Sequence, residues 1–234
     1  MIPTDSKLPP IGVGVISGEL TRYADFMQSL VQIMVPPNST ILWHCGALIR
    51  EVMNMTFQTF VKLKHLEYIW VIGDDHTFPP NIVLDLATLD KDAVIPLVLN
   101  RQPPCHPCIV NENDKTMRRL SDIPFEPFKL EDYETCGDAG MLLSRRVVEA
   151  IGYPWYENLI SGTWMSEDRY FANKIRKAGF EIWCHPNVSM GHITPVNVLP
   201  EVRKQADGTL IRCLRLMANT HHLASFMPEE VKHD

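Results

Sequence analysis

The stretch Tyr68-Ile-Trp-Val-Ile-Gly-Asp-Asp-His-Thr-Phe-Pro-Pro80 decides the fold. The unbroken apolar run from Tyr68 to Ile72 is the pattern of a strand buried on both faces, as in a parallel sheet covered by helices. It stops at Gly73-Asp74-Asp75-His76, and Pro79-Pro80 then opens a helix over Asn81 to Leu89, because proline is tolerated in a helix's first turn. A buried strand that ends in carboxylates and turns into a helix implies an α/β unit with its chemistry at the strand's carboxyl end.

The flanking sequence repeats that unit. Ile11 to Ile16 reads as a strand ending at Ser17-Gly18, followed by a helix over Tyr23 to Met34 with Phe26, Leu30 and Ile33 on its buried face. Thr40 to His44 is a second strand. A helix from Ala47 to about Lys64 then carries Leu48, Val52, Met55, Thr59 and Leu63 along one stripe. Ala93 to Leu99 is another buried strand, and the polar, proline-rich residues 100–135 read as a long loop. Met141 to Leu143 forms a short strand, followed by a helix over Arg146 to Ile151, capped by Ser144 and closed by Gly152. Ser166 is an N-cap with Glu167 and Asp168 in the first turn of its helix. Phe171, Ile175 and Ala178 line the inner face and Gly179 ends it. Glu181 to Cys184 is a strand leading into Gly191-His192, and Val198 to Leu216 reads as a hairpin around Ala206-Asp-Gly-Thr209. Strands alternating with helices predict a Rossmann-like α/β domain with a mainly parallel, doubly wound sheet over residues 1–196. A C-terminal extension, 197–234, packs on the same domain. In such sheets ligands bind beyond the carboxyl ends of the strands.

Composition narrows the function. The 234 residues are 45% hydrophobic and 21% charged, enough to bury a sizeable core and too apolar for disorder. A net charge of −6 gives no blanket attraction to nucleic acid or anionic membrane, which leaves Arg118, Arg119, Arg145 and Arg146 as a candidate local phosphate-binding patch. The apolar runs fall far below the ~20 residues of a membrane helix, so no membrane span is expected. Met1 to Pro10 carries neither a basic n-region nor an apolar h-region, and six cysteines scattered through a chain of this size read as reduced thiols. The expected setting is cytoplasmic. There is no G-x-S-x-G elbow and no P-loop, and Gly12-x-Gly14-x-x-x-Gly18 misses the dinucleotide-binding spacing.

Three groups fall where the strand-end rule puts a site: Asp74 and Asp75, Glu167 and Asp168, and His192. Paired carboxylates suit Mg²⁺ or Mn²⁺, and an imidazole tilts the choice towards Mn²⁺. Such a metal would stabilise a departing pyrophosphate.

These residues resemble the GT-A fold, family-2-like nucleotide-sugar glycosyltransferases. The run Tyr68 to Pro80 looks like the family's DxD region, and Gly137-Asp-Ala-Gly-Met-Leu-Leu-Ser-Arg145 is similar to its glycine-rich strand. Ser166-Glu-Asp168 looks like its ED motif and Gly191-His192 like its late histidine, the whole set running in order through residues 11–196. The resemblance implies transfer of a sugar from a UDP- or GDP-type donor to an acceptor hydroxyl on a glycan, a small molecule or a modified DNA base. Asp75 matches the metal-binding aspartate, His192 a further metal ligand, and Asp74 a position near the ribose or metal. Asp168 or Glu167 would be the general base of an inverting reaction. Ser17 would approach the nucleotide base, Arg50 or Asn54 the diphosphate, and Arg101 and Gly140 the donor. The sequence departs from the family in one place: D-x-D needs an acid at 73, where this chain has Gly73. Trp155, Tyr156 and Trp164 flank the ED loop, either to stack on a sugar or base or to pack the core.

Two alternatives compete. His65-Leu-Glu67 and Pro104-Cys-His-Pro-Cys108 fit the H-x-E…P-C-x-x-C pattern of zinc deaminases. However, His65 and Glu67 directly precede a strand rather than open a helix, and Pro107 interrupts the second motif. A non-catalytic sugar-binding module would keep the fold but need neither Asp168 nor a metal.

Overall fold

The computed structural model describes residues 8–18, 23–101, 104–160, 163–164, 166–193 and 196–218. In chain order the first half runs β1 (Ile11–Ser17), α1 (Ala24–Gln32), β2 (Thr40–Cys45), α2 (Ile49–Lys62), β3 (Tyr68–Gly73), β4 (His76–Thr77), α3 (Ile82–Ala87) and β5 (Ala93–Val98). The second half runs β6 (Ile109–Asn111), β7 (Phe128–Lys129), β8 (Glu134–Cys136), β9 (Leu142–Ser144), α4 (Arg145–Ile151), β10 (Leu159–Ile160) and β11 (Thr163–Trp164). It closes with α5 (Glu167–Lys177), β12 (Trp183–Ile193), β13 (Val196–Lys204) and β14 (Leu210–Ala218). Among the described residues no helix is long and apolar enough to cross a membrane.

The central sheet has the order β14-β13-β12-β5-β9-β3-β1-β2. β1 pairs in parallel with β2 and β3, and β5 with β12, while β9 lies antiparallel between β3 and β5. Five strands therefore point the same way and deliver their carboxyl ends to one edge. β3 shows why its sequence is continuously apolar: Ile69 and Val71 enter the core on one face, Trp70 and Ile72 the core on the other. Helices α2, α4 and α5 cover the first face, α1 and α3 the second. The glycines of β1 admit α2 to close range, since a Cβ at Gly14 would stand 2.9 Å from Thr56 Cγ2.

Four local expectations are corrected. The buried face of α2 is Val52, Met53, Thr56, Phe57 and Phe60, while Leu48 and Met55 are about half exposed. Two helical phases are apolar in this segment, and the aromatic one wins because it buries more surface. In α5 the inner face is Phe171, Ala172 and Ile175, and Ala178 is an exposed C-cap. Residues 100–135 hold secondary structure, with β6 paired antiparallel to β8 through Ile109 and Cys136. Those strands are too short to show alternation. Finally, β12 continues to Ile193, so Gly191-His192 lies inside the strand, beyond an irregularity between His185 and Ser189 that hides the period. The C-terminal hairpin is present, β13 on β14, and extends the sheet past β12. Residues 219–234 of the expected extension lie outside the described residues.

The turn into β9 is held tightly. Gly140 has φ +77°, and a Cβ there would overlap Met190 Sδ and stand 2.7 Å from Pro96 Cγ. Replacing Gly140 with alanine should destabilise the fold by about 2 kcal/mol or more, read as a lower urea midpoint with unchanged m-value.

Candidate functional site

The backbone assembles the first cluster. After β3 the chain turns through Asp74 and Asp75 into β4, which pairs antiparallel with the far end of β12 and sets His76 opposite His192. The two imidazoles stack with centroids 4.4 Å apart and planes inclined by 19°. Asp75 lies beside both: its Oδ1 is 2.8 Å from His76 Nδ1 and its Oδ2 is 3.4 Å from His192 Nε2. Asp75, His76 and His192 each offer one ligand atom within 4.8 Å of the others, and among the described residues no other such group of three stands out. His192 Nδ1 lies 3.0 Å from the Leu99 carbonyl, an acceptor that requires Nδ1 to carry the proton. Its Nε2 lone pair is thereby free to face Asp75, the arrangement that orients a metal-ligating histidine.

His76 is buried, and neither ring nitrogen has a partner in hydrogen-bond alignment, the 2.8 Å approach to Asp75 included. A buried imidazole with unsatisfied nitrogens is costly unless a cation takes a lone pair. The donor set therefore fits a divalent ion, and one carboxylate with two imidazoles suits Mn²⁺ better than Mg²⁺. Burial alone would raise the Asp75 pKa, but the close approach of His192 and His76 holds the carboxyl well below its ordinary range. Sequence reading missed His76 because it sought an acid at 73. A Cβ at Gly73 would already stand 3.0 Å from Asp75 Oδ1, so glycine there makes room for the Asp75–His76 pair.

A cavity of about 150 Å³ opens beside this cluster, lined by His76, Pro96, Cys108, Asp138, Asp168 and His192. Asp168 sits in the first turn of α5, and its Oδ1 accepts from the Arg169 amide at 2.7 Å. Burial raises its pKa, a shift that bonds from Ser166 and Arg169 offset in part and the neighbouring Glu167 reinforces. Glu167 is directed elsewhere and accepts from Asn158 Nδ2 at 2.7 Å. Gly137 separates Asp168 from Cys108: a Cβ there would be 3.8 Å from Asp168 Oδ2 and 3.5 Å from Cys108 Cβ.

A second cavity of about 220 Å³ adjoins the first, lined by Ile16, Gly18, Gly73, Asp74 and Asp75 at the ends of β1 and β3, and it shares His76, Asp138 and Ala139 with it. Asp138, which sequence reading singled out only as part of a glycine-rich run, is half-buried in the shared wall with its Oδ2 enclosed. Burial and the nearby Asp168 push its pKa up to about 7.

The remaining candidates sit as follows. Arg101 Nη1 is 3.1 Å from Asp75 Oδ2. Ser17 is buried, its hydroxyl accepting from the Trp43 indole at 3.1 Å. Arg50 pairs with Glu157 at 2.6 Å, and Asn54 bonds the backbone of Trp155 and Tyr156. Neither lines the two cavities just described. Trp155 and Tyr156 are core residues packed on Phe57, and the Trp164 side chain lies outside the described residues. Of the four arginines expected as a patch, three are engaged within the chain, Arg118 on Glu134, Arg145 on the carbonyls of Phe60, Leu63 and Leu66, and Arg146 on Asp92, while Arg119 is exposed. The deaminase pattern does not assemble. His65 and Glu67 are exposed before β3, at the end opposite the site, and burial pushes the Cys108 thiol up to about 12.

Comparison with known sequence families and with curated proteins finds no match. Comparison with solved structures does. The chain is similar to A197 from STIV with a TM-score of 0.62 at 12% identity, over 94% of this chain and 100% of that one. It is also similar to GalNAc-T7, solved with UDP, GalNAc and Mn²⁺, with a TM-score of 0.53 at 12% identity, over 81% of this chain and 45% of that one. At such identities the likeness establishes the fold: α/β with a mainly parallel central sheet, of the GT-A-like kind.

The Asp138 shift has a consequence for stability. A carboxyl whose folded pKa of about 7 lies above its unfolded value of 3.8 stabilises the fold fully below the unfolded value and loses that contribution as pH rises through 7. Asp138→Asn, which stays neutral, should therefore gain melting temperature relative to the parent by several degrees between pH 5 and pH 8. A pH series of thermal melts of both proteins checks this.

Proposed function

We propose that this chain is a divalent-metal-dependent glycosyltransferase that moves a sugar from a UDP- or GDP-type donor to an acceptor hydroxyl. The observation that carries the reading is the meeting of Asp75, His76 and His192 at the carboxyl ends of the parallel strands, with the Asp168 carboxylate on the wall of the same cavity. The GT-A-like fold and the Mn²⁺ and UDP of the GalNAc-T7 structure support it. Asp75, His76 and His192 would hold the ion, Mn²⁺ before Mg²⁺. When bound, it supplies positive charge against the diphosphate leaving group. Arg101, 3.1 Å from Asp75, would bind a donor phosphate oxygen.

Asp168 is the base of the reading. As the acceptor oxygen bonds to the anomeric carbon and the bond from that carbon to the diphosphate breaks, the acceptor proton passes to Asp168. Oδ1 is engaged by the Arg169 amide, so Oδ2, on the Gly137 side, receives it. The raised pKa makes this carboxylate a better proton acceptor than a solvated aspartate. The acceptor is a glycan, a small molecule or a modified DNA base.

A thermal-shift panel of UDP, GDP, CMP and dTDP with Mn²⁺, Mg²⁺ or EDTA tests the reading, since a ligand of the native state raises the melting temperature by mass action. One nucleotide should stabilise the protein with metal and not with EDTA. Asp75→Ala should abolish that shift while its own unliganded melt stays within a few degrees of the parent; an unchanged shift with Mn²⁺ would remove Asp75 from the metal site. Asp168→Asn should keep nucleotide binding and lose about 10²–10⁴ in turnover, measured as release of the nucleoside diphosphate. Near-parental turnover would assign the base elsewhere.

A further inference from the structure

We propose that Glu112 is a positioning residue for the base: by clamping Arg169 it fixes the first turn of α5, and with it Asp168, against the wall that Cys108 and Gly137 build. The inference rests on the glycosyltransferase reading and adds to it a residue that lines neither cavity.

Two bodies meet at the base. One is the start of α5, which carries Asp168. The other is the β6–β8 pair, a two-stranded sheet separate from the central one. Cys108, just before β6, and Gly137, just after β8, are joined where the Gly137 amide donates to the Cys108 carbonyl at 3.0 Å. Both line the cavity opposite Asp168, whose Oδ2 lies on the Gly137 side. The hydrogen-bond ladder of the central sheet therefore does not set the gap between these bodies. Cys136 and Phe171 share one apolar cluster, but apolar contact is non-directional and holds surfaces together without fixing how they slide.

Glu112, in the turn after β6, supplies the direction. Its Oε1 accepts from Arg169 Nε at 2.7 Å and from the Thr135 hydroxyl at 2.5 Å. Its Oε2 accepts from Arg169 Nη2 and from Lys115 Nζ, the latter at 2.6 Å. The two bonds from Arg169 form a fork, which fixes angle as well as distance. The same arginine's amide donates to Asp168 Oδ1 at 2.7 Å, so the residue that Glu112 grips is the one that holds the base. On the other side, Thr135 stands two residues before Gly137 in the opposing wall. One carboxylate thus ties both bodies. The Arg169 and Glu112 side chains are only 27% and 20% exposed, so solvent competes little for the fork. Arg169 above all, with Lys115 and Thr135, holds the Glu112 carboxyl down to about 2 against the opposing effect of burial. The clamp is accordingly charged wherever Asp168 is ionised, and its effect on the base is one of placement. Placement matters because a shift of about 1 Å in a reacting group costs about 10²-fold in rate.

The test uses the full chain with Mn²⁺ and UDP-glucose, UDP-galactose, their N-acetylhexosamine counterparts and GDP-mannose, with water as acceptor, and reads release of the nucleoside diphosphate. With the best donor, Glu112→Gln should lower kcat by about 10²-fold and leave the donor KM and the Kd of the nucleoside diphosphate within two-fold of the parent. Arg169→Lys, which keeps the charge and loses the fork, should reproduce that split from the other side of the clamp. The deciding arm is the Asp168→Asn background. There Glu112→Gln should cost less than a further two-fold, because the group it positions is already gone. A tie that merely supports the fold would cost the same factor in both backgrounds. That equal factor, near-parental kcat in both single variants, or weakened nucleotide binding in both overturns the positioning role and leaves the transferase reading standing. A parent that releases no nucleoside diphosphate from any donor overturns the transferase reading and this inference with it.

Discussion

Two backbone pairs, Thr77 with Gly191 and His76 with His192, are the constraint on which the site depends. They fasten the short segment after β3 to the end of β12, residues more than a hundred positions apart, and so bring two imidazoles and the Asp75 carboxylate into one cluster. The fastening is reinforced where the Ile193 amide donates to the Asp75 carbonyl at 2.7 Å. His192 would not meet the carboxylate without this ladder, because β5 and β9 intervene between β3 and β12 in the sheet. The parallel arrangement of β3, β5 and β12 makes the closure short, since all three end on the same edge.

Asp75, Asp138 and Asp168 then line two adjoining cavities, and the structure sets each to a different state. Asp75 is kept ionised by two histidines. Asp168 is buried but retains hydrogen bonds at the start of a helix, which moderates its rise. Asp138 has burial and a like-charged neighbour and too little hydrogen bonding to offset them, and it rises furthest. Carboxyl groups driven apart in this way can divide cation binding and proton transfer among themselves at a single pH. The same low-polarity surroundings push Cys108 up, so that its thiol packs the cavity wall instead of reacting.

Side chains outside the cavities support this arrangement through the loop before α5. Asn54 on α2 accepts from the amides of Trp155 and Tyr156, and Lys174 on α5 donates to the carbonyls of Gly152 and Pro154. Phe57 contacts Trp155, Tyr156 and Phe171, tying α2 to that loop and to the helix that carries Asp168. Polar residues that look available for a phosphate in the sequence are in this way structural ties, because an unpaired loop backbone in this position would leave its donors unsatisfied.

Local pattern was enough to determine the succession of strands and helices, the burial of β3 on both faces, the Ser144 and Ser166 helix starts, and the carboxylates at the strand ends. Each is written in a few neighbouring residues as apolar period, cap chemistry or turn residues. Tertiary structure decided the rest. The face of α2 that is buried depends on whether aromatic or aliphatic residues meet β1, and the insertion of β9 against the run of the sheet depends on pairings made at long range. His192 joins Asp75 and His76 only through the β4–β12 ladder, Glu167 and Asp168 part company only once Asn158 takes the one and a cavity wall the other, and Asp138 becomes a carboxyl of raised pKa only when packing encloses it. Burial and long-range register are properties of the packed chain, and no local spacing encodes them.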